Sequence, residues 1–103
     1  MKELNARVTG TFLGREDHGI PSCMVSLEFG DGSCQGFGGY DLRYHGAFVQ
    51  DVLDAVGVVS WEKLPGTVVR VRAEGDHGGR RLLSIGHAIE DKWFAPNRVG
   101  AGE

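Results

Sequence analysis

Apolar and polar residues alternate in five separate runs of the chain, and one stretch between the third and fourth runs changes to a helical period. Asn5 to Leu13 sets Ala6, Val8 and Phe12 against Arg7, Thr9 and Thr11, the period of two of a half-buried strand. Ser22 to Phe29 repeats the pattern, with Cys23, Val25, Leu27 and Phe29 on one face and Ser22, Met24, Ser26 and Glu28 on the other. Asp31-Gly32 then marks a hairpin turn, because that pair tolerates positive φ, and Ser33 to Tyr40 returns as a third strand. From Ala47 the period lengthens: Phe48, Val49, Val52, Leu53 and Val56 form a stripe opposite Gln50, Asp51 and Asp54, a helix with Gly57 at the expected C-cap. Ser60 stands where it can cap a short turn over Trp61 to Leu64, which Pro65-Gly66 ends. Thr67 to Ala73 points Val69 and Val71 inward and Arg70 and Arg72 outward. Arg81 to Ile89 places Leu83, Ile85, His87 and Ile89 on one face.

Strand, strand, strand, helix, strand, strand is the order of an α+β protein built on a small antiparallel β-barrel or curved sheet. It is the order of the five-stranded OB type, with one covering helix between the third and fourth strands. Residues 1–95 are expected to form a single compact domain, and 96–103, opening on Pro96 and rich in glycine, a frayed C-terminal tail.

Composition narrows the functional classes. A chain of 103 residues holds one thin core, and 17 glycines point to tight turns and close backbone approaches. A formal charge of −3 gives no global attraction to nucleic acid or anionic membrane. No signal-like apolar region follows Met1, and no apolar run approaches the ~20 residues of a membrane span, so a cytoplasmic protein with reduced cysteines is expected. Either register of the Asp31-Gly32 turn puts Phe29 or Glu28, not Cys23, opposite Cys34.

Three groups of residues carry candidate chemistry. Asp17-His18-Gly19 and Asp76-His77-Gly78 repeat one tripeptide in two loops that a barrel of this order would place on the same side, a potential divalent-metal site of imidazoles and carboxylates. The same residues are also ordinary turn formers, and no metal or other cofactor is required by any motif. Arg70, Arg72, Arg80 and Arg81, with Phe37 and Tyr40 as stacking platforms, would make a groove for single-stranded nucleic acid. The plainer role of the arginines is to keep an edge strand in water. Trp93, beside Phe94, either plugs the end of the barrel or anchors a partner. His87 reads as a hydrogen-bonded core histidine, and no serine or cysteine sits in a nucleophile motif.

The strings GTFLGxEDHGI (Gly10 to Ile20), QGFGGYDL (Gln35 to Leu42), SWEKLPG (Ser60 to Gly66) and GHxIEDKWF (Gly86 to Phe94) cover most of the chain in order. In them it resembles a family of small proteins encoded by bacteriophages and prophages. The resemblance implies a bacterial host and a host or phage protein as partner, and it brings no site residues with it. The expected function is therefore a non-enzymatic protein that binds by protein–protein contact, such as an inhibitor of a host defence complex of the anti-CRISPR kind. The alternatives are an OB-like single-stranded nucleic-acid binder and a metal-dependent enzyme at the Asp-His-Gly loops, and a homo-oligomer is compatible with all three.

Overall fold

The computed structural model describes residues 2–75 and 79–96. The elements are β1 (Lys2–Arg15), β2 (Pro21–Phe29), β3 (Cys34–Asp41), α1 (Phe48–Val56), a 3-10 turn over Trp61–Lys63, β4 (Val68–Glu74), β5 (Arg81–His87) and the two-residue β6 (Trp93–Phe94). They make one antiparallel sheet in the order β3-β2-β1-β4-β5-β6, curled into a half-barrel with the helix across its concave face. This is the expected order with a sixth, very short strand added at one edge. Residues 97–103 of the expected tail lie outside the described residues. Among those described, no helix is long and apolar enough to cross a membrane.

The barrel is not closed by a backbone ladder, since β3 and β6 are the two ends of the sheet. Side chains bridge the seam instead. Gln35 on β3 donates from Nε2 to the carbonyl of Arg80, just before β5, at 3.0 Å. The Phe37 ring meets Phe94 of β6 edge-on at 6.4 Å between centroids.

Val8, Val25, Leu27, Val69, Val71 and Ile85 are fully buried on the concave face, each contributing roughly 1.5–3 kcal/mol by leaving water. A nine-residue helix is too short to persist alone, so α1 exists because Phe48, Val52 and Val56 pack onto that layer. Gly57 ends it with a left-handed φ of 90°, its N–H donating to the Leu53 carbonyl. Trp61 and Leu64 join the same core from the 3-10 turn. Ser60 holds the N-cap position there without a side-chain hydrogen bond, contrary to its expected role. The glycine run of β3 is needed for close packing. At Gly38, with φ of 121°, a Cβ would sit 2.8 Å from the Cys23 carbonyl oxygen and 2.9 Å from the Phe48 ring.

Two bulges overturn the strict alternation read from the sequence. Val8 pairs with Leu27 but Gly10 with Ser26, so Thr9 is an extra residue in β1. Every later side chain of β1 changes face, and Phe12, expected inside, lies outside against Met24 and is 46% exposed. In β5, Leu83 is the extra residue between the Arg72–Ser84 and Ala73–Leu82 pairs, so Leu82, not Leu83, packs on the core. Ile89 lies beyond the end of β5 and is 84% exposed. Phe48→Ala is therefore expected to cost about 3–5 kcal/mol, while Phe12→Ala costs less than about 1 kcal/mol, compared by urea denaturation midpoints.

Candidate functional site

Three of the four arginines expected to gather on the last hairpin, Arg70, Arg72 and Arg80, are held by contacts within the fold. Arg70 and Arg72 project from the convex face of β4, where Gly86 of β5 leaves room for an indole. A Cβ at Gly86 would lie 2.6 Å from the Trp93 ring. Both guanidiniums stack on that ring, Arg70 at 4.9 Å and Arg72 at 3.8 Å from its centroid. Glu3 of β1 pairs with both at 3.4 Å. Arg70 also donates from Nε to the His87 carbonyl and from Nη2 to the Glu90 carbonyl, each at 2.8 Å, and so fastens the turn between β5 and β6. Arg80 is only 11% exposed: it covers the Phe29 ring at 4.6 Å and reaches Asp31 at 3.6 Å. Arg81 is exposed beside Glu74 at 3.4 Å.

The aromatic platforms expected beside these arginines do not stand there. The hairpin register pairs Phe37 with Val25, which turns its ring inward. It is 3% exposed and stacks on Phe48 at 5.9 Å. Tyr40 is half-buried against His45 at 5.0 Å and Phe48 at 5.5 Å. The predicted nucleic-acid groove is thus not assembled: Phe37 lies in the core, and Arg70, Arg72 and Arg80 spend their charge within the fold.

Of the two Asp-His-Gly loops, only the first lies among the described residues. β1 and β4 are antiparallel, pairing Lys2 with Ala73 and Arg7 with Val68, so Arg15 and Glu74 close their strands at opposite ends of the pair. Asp17 and His18 lie exposed in the first, where the His18 N–H donates to Glu16 Oε1 at 2.6 Å. Asp76 and His77 lie outside the described residues. Among those described, no three His, Cys, Asp or Glu side chains gather as metal ligands. Cys34 pairs across β2–β3 with Glu28 and is exposed, and Cys23 is buried opposite Tyr40. Burial pushes the Cys23 thiol up to about 11.

What the fold does build is a continuous groove beside α1. A cleft of about 630 Å³ is bounded by Asp51, Asp54 and Ala55 on the helix and by residues 91–94 of the β6 segment opposite. A second, of about 370 Å³, runs on past Tyr44, His45 and Pro96, and the two share Asp51 and Phe94. Phe94 forms the apolar floor, anchored at 5.6 Å on Phe48. Asp51, Asp54 and Asp91 supply negative charge on both walls. Asp91 accepts the Trp93 indole N–H at 3.0 Å. Lys92 is the single cation lining the groove among the described residues, and it pairs with Glu90 at 3.2 Å. Its hydrogen bond is the main reason the Glu90 carboxyl titrates below the usual range. At the far rim Arg43 chelates Asp41 and lowers that carboxyl likewise, and it lies over the exposed Tyr44 ring at 5.7 Å.

Of the expected site residues among those described, only Trp93 lines this groove. Asp51 and Asp54 were readable only as a solvated helix face, because i, i+3 carboxylates opposite an apolar stripe look the same whether or not a second wall stands across from them. Neither a protein-family model nor a curated protein matches the chain.

Two measurements test these placements. Arg70→Ala, which removes both carbonyl contacts and one face of the Trp93 stack, is expected to lower stability by about 2 kcal/mol and to shift Trp93 fluorescence. Brief alkylation of the native protein is expected to label Cys34, with Cys23 labelled only on unfolding, as peptide mass spectrometry would report; the thiolate is the nucleophile, and burial keeps Cys23 protonated.

Proposed function

We propose that the chain is a non-enzymatic binding protein that acts by protein–protein contact, taking a basic segment of its partner into the groove beside α1. The observation that carries this reading is the pairing of three carboxylates, Asp51, Asp54 and Asp91, with the aromatic Phe94 in the groove beside α1. Carboxylates on both walls suit lysine or arginine side chains, and the Phe94 floor suits their methylene stems. Arg70, Arg72 and Arg80 are engaged elsewhere, and the basic residues at the groove have acidic partners of their own, Lys92 with Glu90 and Arg43 with Asp41.

The resemblance to phage and prophage proteins supplies the setting: the partner is a host or phage protein. A host defence complex with a basic nucleic-acid channel has the charge to match, and occupying such a channel would inhibit it. Binding of this kind is steered by charge and weakens with salt.

The test compares the wild type with an Asp51→Lys/Asp54→Lys double variant in capture from bacterial lysate, the retained protein being identified and its binding remeasured with purified components. The expected result is at least a tenfold loss of affinity in the double variant and weaker wild-type binding as salt rises. A partner held equally by both proteins overturns the reading.

A further inference from the structure

His87 closes β5, and its ring does more than fill space. Nδ1 accepts two backbone hydrogen bonds, from the N–H of Ile89 at 3.1 Å and from that of Glu90 at 2.9 Å. The imidazole must be neutral there, with its proton on Nε2, since an acceptor of two donors has no room for a proton of its own. The other edge of the ring abuts the helix cap: a Cβ at Gly57 would lie 2.9 Å from Cδ2 and 3.2 Å from Nε2. The main chain completes the turn. The His87 N–H donates to the Lys92 carbonyl at 3.0 Å, and Arg70 holds the His87 and Glu90 carbonyls from below. One ring thus ties the end of α1 to the turn that presents Asp91, Lys92 and Trp93.

We infer that His87 is a proton-operated latch on the turn joining β5 to β6. A proton taken from solvent by Nδ1 converts the acceptor into a donor that faces two further donors. The Ile89 and Glu90 amides lose their partner, and the turn is driven off the ring. The charged groups around the ring pull in both directions. On the turn itself the Glu90 carboxylate favours the proton and the Lys92 ammonium opposes it. From β4 Arg70 opposes it, and the C-terminal end of α1 at Gly57, which lies against the ring, favours it through the helix dipole. The geometry fixes the sign: the latch is shut with the imidazole neutral and opens as pH falls. Because the same turn carries Asp91 and Trp93, opening displaces one wall of the groove; that consequence for binding rests on the function proposed above, whereas the latch itself does not.

The test is proton NMR of the free protein from about pH 8 to about pH 5, the span in which histidines ordinarily titrate, on the wild type and on His87→Asn. Asparagine Oδ1 can take the place of Nδ1 as acceptor without taking up a proton in this range. In the wild type, protection of the Ile89 and Glu90 amides is expected to fall about tenfold beyond the intrinsic pH dependence of exchange. The Trp93 indole resonance is expected to move with the same midpoint as the His87 ring. The variant is expected to show neither change. The inference is overturned if the His87 ring titrates while those amides stay protected, or if wild type and variant follow the same course. Should the variant not fold, agreement or disagreement of the wild-type midpoints decides alone. No partner is present in this experiment, so it can fail while the charge-reversal capture test succeeds, and the reverse.

Discussion

Three phenylalanines from distant parts of the chain hold the half-barrel in its curl. Phe37 comes from β3, Phe48 from the first turn of α1 and Phe94 from β6, with centroids between 5.6 and 6.4 Å apart and both stacked and edge-on geometries. In a closed barrel, hydrogen bonds between edge strands would do this work. Here the edges are joined by aromatic packing, worth about 0.5–1.5 kcal/mol per pair beyond area burial. The helix depends on it, because Phe48 is its firmest anchor at the N-terminal end. The groove depends on it as well, because its floor is the solvent side of Phe94. Successive residues of β6 point to opposite faces, so the residue that completes the core is followed back along the chain by the one, Trp93, that stacks outside on the arginines.

That outer stack explains how an acidic groove coexists with so many arginines. A guanidinium that lies on an indole, reaches two carbonyls and meets Glu3 is a structural strut whose charge is neutralised where it stands. Among the described residues, Asp51 and Asp54 on α1 have no such ion-pair partners and remain available to solvent. Arg70, Arg72 and Arg80 are drawn into the convex face and the seam, and Asp51, Asp54 and Asp91 are left along the groove.

Much of this architecture was legible in the sequence, and the failures share a cause. Val69 and Val71 against Arg70 and Arg72, the stripe on α1, and the Asp31-Gly32 turn are local patterns with one physical solution each, and they stand as read. Phe12, Leu83 and Ile89 were misplaced because a bulge or a strand end resets the period of two without leaving a mark in the string of residue types. Phe37 was recoverable in principle: the register that sets Glu28 opposite Cys34 also sets Phe37 opposite the buried Val25. The groove was not recoverable, since its walls come from α1 and from a two-residue strand whose position only the tertiary packing of Phe94 determines.

β1 is the only strand shared by the two halves of the sheet, pairing with β2 on one side and β4 on the other. Its partner residues in β4 lie more than sixty positions away in sequence, whereas the β1–β2, β2–β3 and β4–β5 pairs are hairpins. Folding therefore has fast local steps and one slow, long-range docking. During synthesis the second edge of β1 waits for β4 to emerge, in the state most prone to pairing with another chain. Lys2, Glu3, Asn5 and Arg7 occupy that waiting edge. In the finished protein they look like ordinary surface residues, but on the ribosome they are the polar guard of an open strand.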